Sequence, residues 1–484
     1  MSNDSKISLA LAAEIDKLDA DIGLSSDARA SLATAKAENI RNLRKALQKK
    51  RFDHKRAGFR SLARLASLLP VATVARLAKD AFGPVLSGRI VGAMHPVTAA
   101  KIAKRLEPEF LAQIAAEAEP EHAREIIKLI DADVIRDAAM VLVERQDYML
   151  MGRFADALSA PAIRLIVSAI KDDGVLLKIA YYMEERSQLS KIVMMIDNDR
   201  IASIMRTGTQ QSLWPQALSV IDNVNPELRA RLANIMAEQD EASLDNLVTV
   251  VHEQCLWAPV LRGVTSMNPK YHRKIVNLPK LKNAEVLGDL VRNAHEEGLL
   301  ASALPLAKVM RPEFQEIIAN AALDQGSEVA EAALWAAQNS GRWDVMLDLF
   351  QYLSEENRDL VASLPIAQNR QVLKSLLQSA AQSGKLGLVL DFAKRINADG
   401  LRTVVDIGLA DSGGLLENIL DVADKTQGGW KAVAIAVAAV EDDNMLKNVG
   451  EIYRRQAEPT RAAFRQAATT HGIWDRVGRI LEAA

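Results

Sequence analysis

The chain has 484 residues, about three times the length of a typical domain, so it holds several domains or one long repeat array. Its 60 lysines and arginines nearly balance 62 aspartates and glutamates, and the net charge of −2 gives no global reason to expect nucleic acid or acidic partners. A single cysteine, Cys255, excludes an internal disulfide and a multi-cysteine metal site, and it suits a reducing compartment. Aromatic residues make up only 4% of the chain, which favours tightly packed helices over sheets.

Residues 1–66 are predicted to form a helical hairpin that carries a basic segment. Apolar residues from Ile7 to Ile22 recur at spacings of three and four, as on one face of a helix, and Gly23 ends that helix. Residues 36–64 contain eleven basic and two acidic side chains, which leaves an excess of nine positive charges. The side chains predicted to contact an anionic surface are Arg41, Arg44, Lys45, Lys49, Lys50, Arg51, Lys55 and Arg56.

The basic segment has three interpretations. It is a solvated cap that offsets an acidic body, an amphipathic helix on an anionic membrane surface, or a contact with a phosphate backbone. The residues Phe59, Leu62, Ala66 and Leu69 follow at helical spacing and would form the apolar face that inserts into a membrane surface. Few aromatic residues interleave with the charges, which disfavours nucleic acid as a partner.

No membrane-spanning helix is predicted, because the longest apolar run, residues 432–440, has about half the required length. The apolar run near the N-terminus is short, lacks a basic lead and is followed by acids, so a secretory signal is not expected. We therefore expect a soluble cytoplasmic protein. If the basic segment binds lipid, the protein is peripheral to the inner face of the membrane.

Residues 67–213 are predicted to form a superhelix of short helices. Pro96, Pro108 and Pro120 stand twelve residues apart, and an isoleucine recurs six residues after each of them. Proline suits the first position of a helix, so this rhythm predicts three short helices that stack at steep angles.

These proline blocks, which Met94 and His95 precede, resemble known superhelical domains over about residues 86–140. They are similar to the cytosolic N-domain of MgtE-type magnesium transporters and to the middle domain of the flagellar rotor switch protein. The resemblance implies a domain that mediates protein contacts. The chain lacks the transporter's membrane helices and shows no rotor-type torque domain, so neither activity is carried over.

Residues 214–484 are predicted to form an array of repeats, because five of the six tryptophans share one phase of a 43–44-residue period. Leucine takes the two remaining positions of that phase. The repeat-defining residues are Trp214, Trp257, Leu300, Trp343, Leu386, Trp430 and Trp474. Three helices in about 43 residues resemble the armadillo/HEAT class. Six units and a terminal cap helix are expected.

A glycine stands two residues before most of these positions, where a left-handed cap would end the third helix of each unit. The two earliest positions carry Ser212 and Cys255 instead. The sequence therefore predicts an all-α fold: a right-handed superhelical α-solenoid with 43–44-residue three-helix repeats and an N-terminal helical hairpin.

No pattern indicates a catalytic, cofactor or metal site. The inviting pairs His252–Glu253 and His295–Glu296 lie 43 residues apart, so they occupy one position of successive repeats, and no second histidine follows at zinc-protease spacing. We expect a non-enzymatic scaffold or adaptor that binds a protein partner on the solenoid surface. The alternative is a carrier or sensor of an apolar ligand such as a lipid, docked on membranes through the basic segment. The methionines at helical positions are expected to fill the core, and the other interpretation of them is a flexible groove that holds an apolar ligand.

Overall fold

The computed structural model describes residues 7–53, 56–118, 120–411 and 414–482, and every regular element among them is helical. The all-α fold class is confirmed for this part of the chain. The helices form two compact units, Met1–Asn268 and Pro269–Ala484. The predicted boundary at 66/67 falls inside a helix, and the one at 213/214 falls between two helices of the first unit.

The first unit contains nineteen α-helices among its described residues, and a short π-helical segment, Ala78–Phe82, joins two of them. Their bounds are α1 Leu9–Ile22, α2 Ser26–Ser31, α3 Ala37–Asp53, α4 Arg56–Ser67, α5 Val71–Leu77, α6 Gly83–Val91, α7 Pro96–Ala103, α8 Pro108–Glu117, α9 Pro120–Ile127, α10 Ala132–Glu144, α11 Tyr148–Ala155, α12 Ala160–Ala169, α13 Asp173–Tyr181, α14 Arg186–Met194, α15 Asn198–Gln210, α16 Trp214–Asn223, α17 Pro226–Ala237, α18 Glu241–Glu253 and α19 Trp257–Ser266.

The second unit continues the numbering with fifteen α-helices among its described residues. Their bounds are α20 Pro269–Ile275, α21 Ala284–Glu296, α22 Leu300–Ala307, α23 Pro312–Asp324, α24 Ser327–Ser340, α25 Trp343–Phe350, α26 Glu355–Ser363, α27 Arg370–Gln382, α28 Leu386–Ala393, α29 Ala398–Ala410, α30 Leu415–Ala423, α31 Gly429–Ala438, α32 Asp443–Arg455, α33 Glu458–Thr470 and α34 Trp474–Glu482.

Helices stack mainly on the helix two places further along the chain. In the first unit α6 packs on α8, α8 on α10 and α10 on α12, and in the second unit α21 packs on α23 and α27 on α29. Each proline block of the sequence begins one of these short helices, and the isoleucines Ile102, Ile114 and Ile126 are buried. At the N-terminus α1 packs against α3, and Leu11, Ile15 and Leu18 of α1 are buried in this contact.

Helices begin at each repeat-defining residue except Trp430, which is the second residue of α31. Trp214, Trp257, Trp343 and Leu386 are buried, whereas Leu300, Trp430 and Trp474 are half-buried. The preceding turn is left-handed at Ser212, Cys255, Gly298, Gly341, Gly384, Gly428 and Gly472. The left-handed backbone conformation is therefore kept where serine or cysteine replaces the glycine, although a residue with a side chain costs about 1 kcal/mol in this conformation.

Trp343 provides a test of this packing. It is 4% exposed, lies in the core with Leu334 and Leu347, and its indole Nε1 donates a hydrogen bond of 3.0 Å to Gln338 Oε1. We expect Trp343→Ala to lower the free energy of unfolding by about 3–5 kcal/mol, because it leaves a cavity in the core. Urea unfolding followed by circular dichroism measures the change.

Trp335 is the matched control, because it lies on α24 and is 44% exposed. Trp335→Ala should shift stability by no more than about 0.5 kcal/mol. Equal destabilisation by the two substitutions would contradict the packing role assigned to Trp343.

Candidate ligand-binding cavities

The first unit contains an apolar cavity of about 250 Å³. Its wall draws on helices from α6 to α17, and every lining residue is alanine, valine, leucine, isoleucine, methionine or phenylalanine. Met151, Met183 and Met205 are among them. Methionine adapts its shape to irregular apolar surfaces, so the wall can adjust to more than one occupant.

Small side chains on the short helices leave this space open. Ala115 and Ala118 of the second proline block line it and are half-buried, whereas their neighbour Ala116 is exposed and does not line it. Protein interiors are normally packed with few voids larger than a water molecule. This space is partly open to solvent, so an apolar molecule that enters it removes apolar surface from water.

A second cavity of about 400 Å³ lies between the N-terminal hairpin and the helices α13, α14 and α16. Its lining is mostly polar and includes Glu14, Lys17 and Arg41 of the hairpin. The two cavities adjoin, because Met183 and Leu189 line both of them. We call the first the apolar cavity and the second the charged cavity.

An ionic cluster joins the hairpin to the start of α14 beside the charged cavity. The Lys17 ammonium lies 2.9 Å from Glu14 Oε1 and 3.4 Å from Glu184 Oε1. Arg44 pairs with the same two carboxylates, at 3.4 Å from Glu14 Oε2 and at close range from Glu184. Arg41 Nε lies 3.2 Å from Glu14 Oε1. Glu14, Lys17 and Arg44 are almost fully buried, so these charges depend on one another.

Electrostatics keep Glu184 ionised. Burial alone would raise the pKa of its carboxyl, but Lys17, Arg44, Arg41 and Lys45 together hold that pKa below its usual range. Four cations thus face the two carboxylates of Glu14 and Glu184 in this cluster.

The structure changes the predicted anionic-surface contact. Arg44 is only 2% exposed and its guanidinium points into the ionic cluster, so its assignment to a surface contact is wrong. Arg41 and Lys45 also lie near Glu184, whereas Lys49 and Lys50 are exposed. The side chains of Arg51, Lys55 and Arg56 lie outside the described residues.

The predicted apolar face of Phe59, Leu62, Ala66 and Leu69 is divided between two environments. Phe59 and Ala66 are buried in the core of the first unit, because α4 packs on α6, and so they cannot insert into a membrane. The exposed apolar side chains of this region are Leu62, Leu65, Leu68 and Leu69.

Sequence reasoning missed Glu14, Lys17 and Glu184. A signal for the first two exists, since they stand among Leu11, Ile15 and Leu18 on a helix face that the apolar spacing assigns to the core. A charged residue at such a position predicts a buried partner. Glu184 carries no such signal, because its partners lie more than 100 residues away in the chain.

No helix among the described residues is long and apolar enough to cross a membrane. Within the same residues, no group of histidine, cysteine, aspartate and glutamate side chains is arranged to hold a metal ion.

Comparisons with known proteins include two distant structural likenesses. No protein-family model matches the chain, and no curated protein matches it. The crystal structure of an engineered protein aligns over 90% of this chain and 96% of its own, with 14% identity and a TM-score of 0.27. The pentatricopeptide repeat protein PPR10 in complex with an 18-nt psaJ RNA element aligns over 88% and 83%, with 9% identity and a TM-score of 0.15. Both TM-scores are low, so no property of either protein is assigned to this chain.

Asp156 gives the site a testable dependence on pH. Its carboxylate accepts hydrogen bonds of 3.3 Å from the backbone N–H groups of Glu184 and Glu185, but burial outweighs them and raises its pKa to about 6. Folding therefore favours the protonated form, and this group adds stability as the pH falls from 7 towards 4. We expect a gain of about 1 kcal/mol between pH 7 and pH 5 from this group.

Asp156→Asn should remove that gain, because the amide keeps an oxygen that can accept the two backbone hydrogen bonds but does not titrate. Urea unfolding at pH 7, 6 and 5 compares the variant with the wild type. An unchanged difference in stability between pH 7 and pH 5 would show that Asp156 is not the group responsible.

Proposed function

We propose that the chain is a non-enzymatic helical-repeat binding protein that carries or senses a lipid-like molecule. The observation that supports this function is the apolar cavity of the first unit, about 250 Å³ in volume and lined by apolar side chains alone. An apolar cavity of about 150 Å³ is already sufficient to bind benzene. An apolar cavity is the default place to look for a protein's ligand.

Two kinds of apolar occupant are considered, a helix of a partner protein and an alkyl chain. A helix is about 10 Å across with its side chains. An alkyl chain is much thinner, and the wall runs past many short helices from Val91 to Leu232. We therefore assign the cavity to the hydrocarbon part of a lipid, whose alkyl chain would lie along this wall.

A matched pair of alanines on α8 tests this function. Ala115 lines the cavity and Ala116 beside it is exposed, so Ala115→Phe fills the space while Ala116→Phe adds the same group to the surface. A neutral fluorescent probe with a dodecyl chain should bind the wild type and Ala116→Phe equally. Ala115→Phe should bind it at least tenfold more weakly, because displacing two methylene groups forfeits about 1.6 kcal/mol.

Thermal unfolding accompanies these titrations. Ala115→Phe should be no less stable than the wild type, since the new ring fills a void. Failure of the wild type to bind the probe, or equal binding by both variants, would contradict the proposed function.

Docking on an anionic membrane is a second part of the proposal. Lys49 and Lys50 are exposed on α3, and the exposed Leu65 and Leu68 lie on α4 and just after it. A surface that combines basic and apolar side chains is typical of helices that bind membranes, and the proposed docking places these four side chains on one such surface.

Vesicle sedimentation tests this docking. The full chain should sediment with vesicles that contain anionic lipid, and salt should release it. Substituting glutamine for Lys49 and Lys50 should weaken binding roughly 30-fold, because each basic residue near the surface contributes about 1 kcal/mol. Lys374→Gln with Lys447→Gln, two exposed positions of the second unit, is the control with the same change in charge. Equal losses for the two double variants would remove the docking role from Lys49 and Lys50.

Recognition of a protein partner remains a prediction. The exposed Trp335 of α24 is a candidate contact for such a partner, since tryptophan is enriched at the centres of protein interfaces. The expectation against nucleic acid and the likeness to the MgtE and rotor-switch domains likewise remain predictions.

A further inference from the structure

We propose that the charged cavity is the headgroup site for an anionic single-chain amphiphile, whose alkyl chain passes Met183 and Leu189 into the apolar cavity. This inference rests on the proposed function, because it adds the chemical class of the headgroup to a ligand already assigned an alkyl chain. The shared headgroup chemistry is that of a carboxylate or a phosphate.

The two cavities adjoin at Met183 and Leu189, the residues that line both of them. One segment of the chain walls both of them: Ile179 and Ala180 face the apolar cavity, Glu184 and Arg186 face the charged one, and Met183 between them faces both. Leu189, one turn into α14, is the second shared residue. A molecule that is apolar along its length and polar at one end matches this change of lining at a single junction.

Cationic side chains surround the charged cavity. Lys17 and Arg41 line it, and Arg44 and Lys45 complete the ring of cations around Glu14 and Glu184. Among these six side chains the cations exceed the carboxylates by two, and the partly exposed Arg41 and Lys45 supply that excess. Glu38 and Glu185 also line the cavity and are exposed, and Arg186 adds a further cation.

Arg186 provides the group that can bind the headgroup directly. It lines the charged cavity at the first residue of α14, is exposed, and forms no ion pair within the described part of the chain. Lys17, Arg41 and Arg44 already pair with carboxylates, whereas the guanidinium of Arg186 keeps its donors for a ligand. A guanidinium forms paired hydrogen bonds with carboxylate or phosphate oxygens, which a neutral hydroxyl cannot match.

Four probes with the same dodecyl chain test the headgroup: dodecanoate, dodecyl phosphate, dodecanol and dodecyltrimethylammonium. Each is titrated into the full-length protein against the neutral fluorescent probe, below the concentration at which it forms micelles. At least one of the two anionic probes should bind about tenfold more tightly than dodecanol, and the cation should bind most weakly. The difference between dodecanoate and dodecyl phosphate shows whether the headgroup is a carboxylate or a phosphate.

Two variants of α14 locate the effect. Arg186→Gln should remove the roughly tenfold advantage of the anionic probe and leave the affinity for dodecanol unchanged. Lys191→Gln, an exposed position of the same helix that lines neither cavity, should change none of the four affinities. Ala115→Phe should weaken the binding of all four probes, since they share the alkyl chain.

The outcomes separate the two proposals. If dodecanol fails to bind the wild type, the proposed function itself is wrong. If dodecanol binds but neither anionic probe exceeds it, or if Arg186→Gln keeps the anionic preference, the headgroup site is overturned while the apolar cavity stands. Tightest binding of dodecyltrimethylammonium would also overturn it, because the exposed acids would then outweigh the cationic cluster.

Discussion

Burial of Glu14, Lys17 and Arg44 makes the N-terminal hairpin dependent on a complete set of ionic partners. Removing one member of a buried ion pair leaves an uncompensated charge and costs about 3–5 kcal/mol. Glu184 closes the network from the beginning of α14, so the hairpin and this turn hold each other in place. Glu14, Lys17 and Glu184 also line the charged cavity, and its shape therefore depends on the same charges.

The apolar cavity has a different physical origin, which is the combination of short helices with small side chains. Helices of eight to ten residues such as α7, α8 and α9 are too short to be stable alone, so their stability comes from stacking on neighbours. Alanines on these helices allow the backbones to approach but leave space where several inward faces meet. Apolar surface in this space is partly open to water, so an apolar ligand that binds there would stabilise the first unit.

Local features of this fold follow from sequence alone. Proline positions predict the starts of α7, α8 and α9, and the tryptophan phase coincides with helix starts in both units. The left-handed turns at Ser212 and Cys255 were predictable only because glycines stand at the corresponding positions of the predicted period. Gln146 has the same backbone conformation before α11, but no periodic signal reaches it. A period can be read from a sequence only where several of its positions carry the same residue type.

The candidate site was much less predictable, because it depends on contacts between distant parts of the chain. An excess of positive charge in residues 36–64 is visible in the sequence, but its division between the buried Arg44 and the exposed Lys49 depends on how α3 packs. The prediction that Phe59 belongs to an exposed apolar face was wrong for the same reason, since α6 covers one side of α4. Helical periodicity identifies which residues share a face, but it does not say which of two faces is covered.

The two cavities also differ in what a ligand would do to the protein. A molecule confined to the apolar cavity contacts only the stacked helices from α6 to α17, so it stabilises those helices alone. A molecule that also reaches Arg41 and Lys17 touches the hairpin, and its binding energy then opposes separation of the hairpin from the stack. At a ligand concentration 100 times the dissociation constant this linkage amounts to about 2.7 kcal/mol, comparable to a buried ion pair. The hairpin carries the exposed Lys49 and Lys50, so the element that would meet a membrane is also an element that the ligand would hold in place.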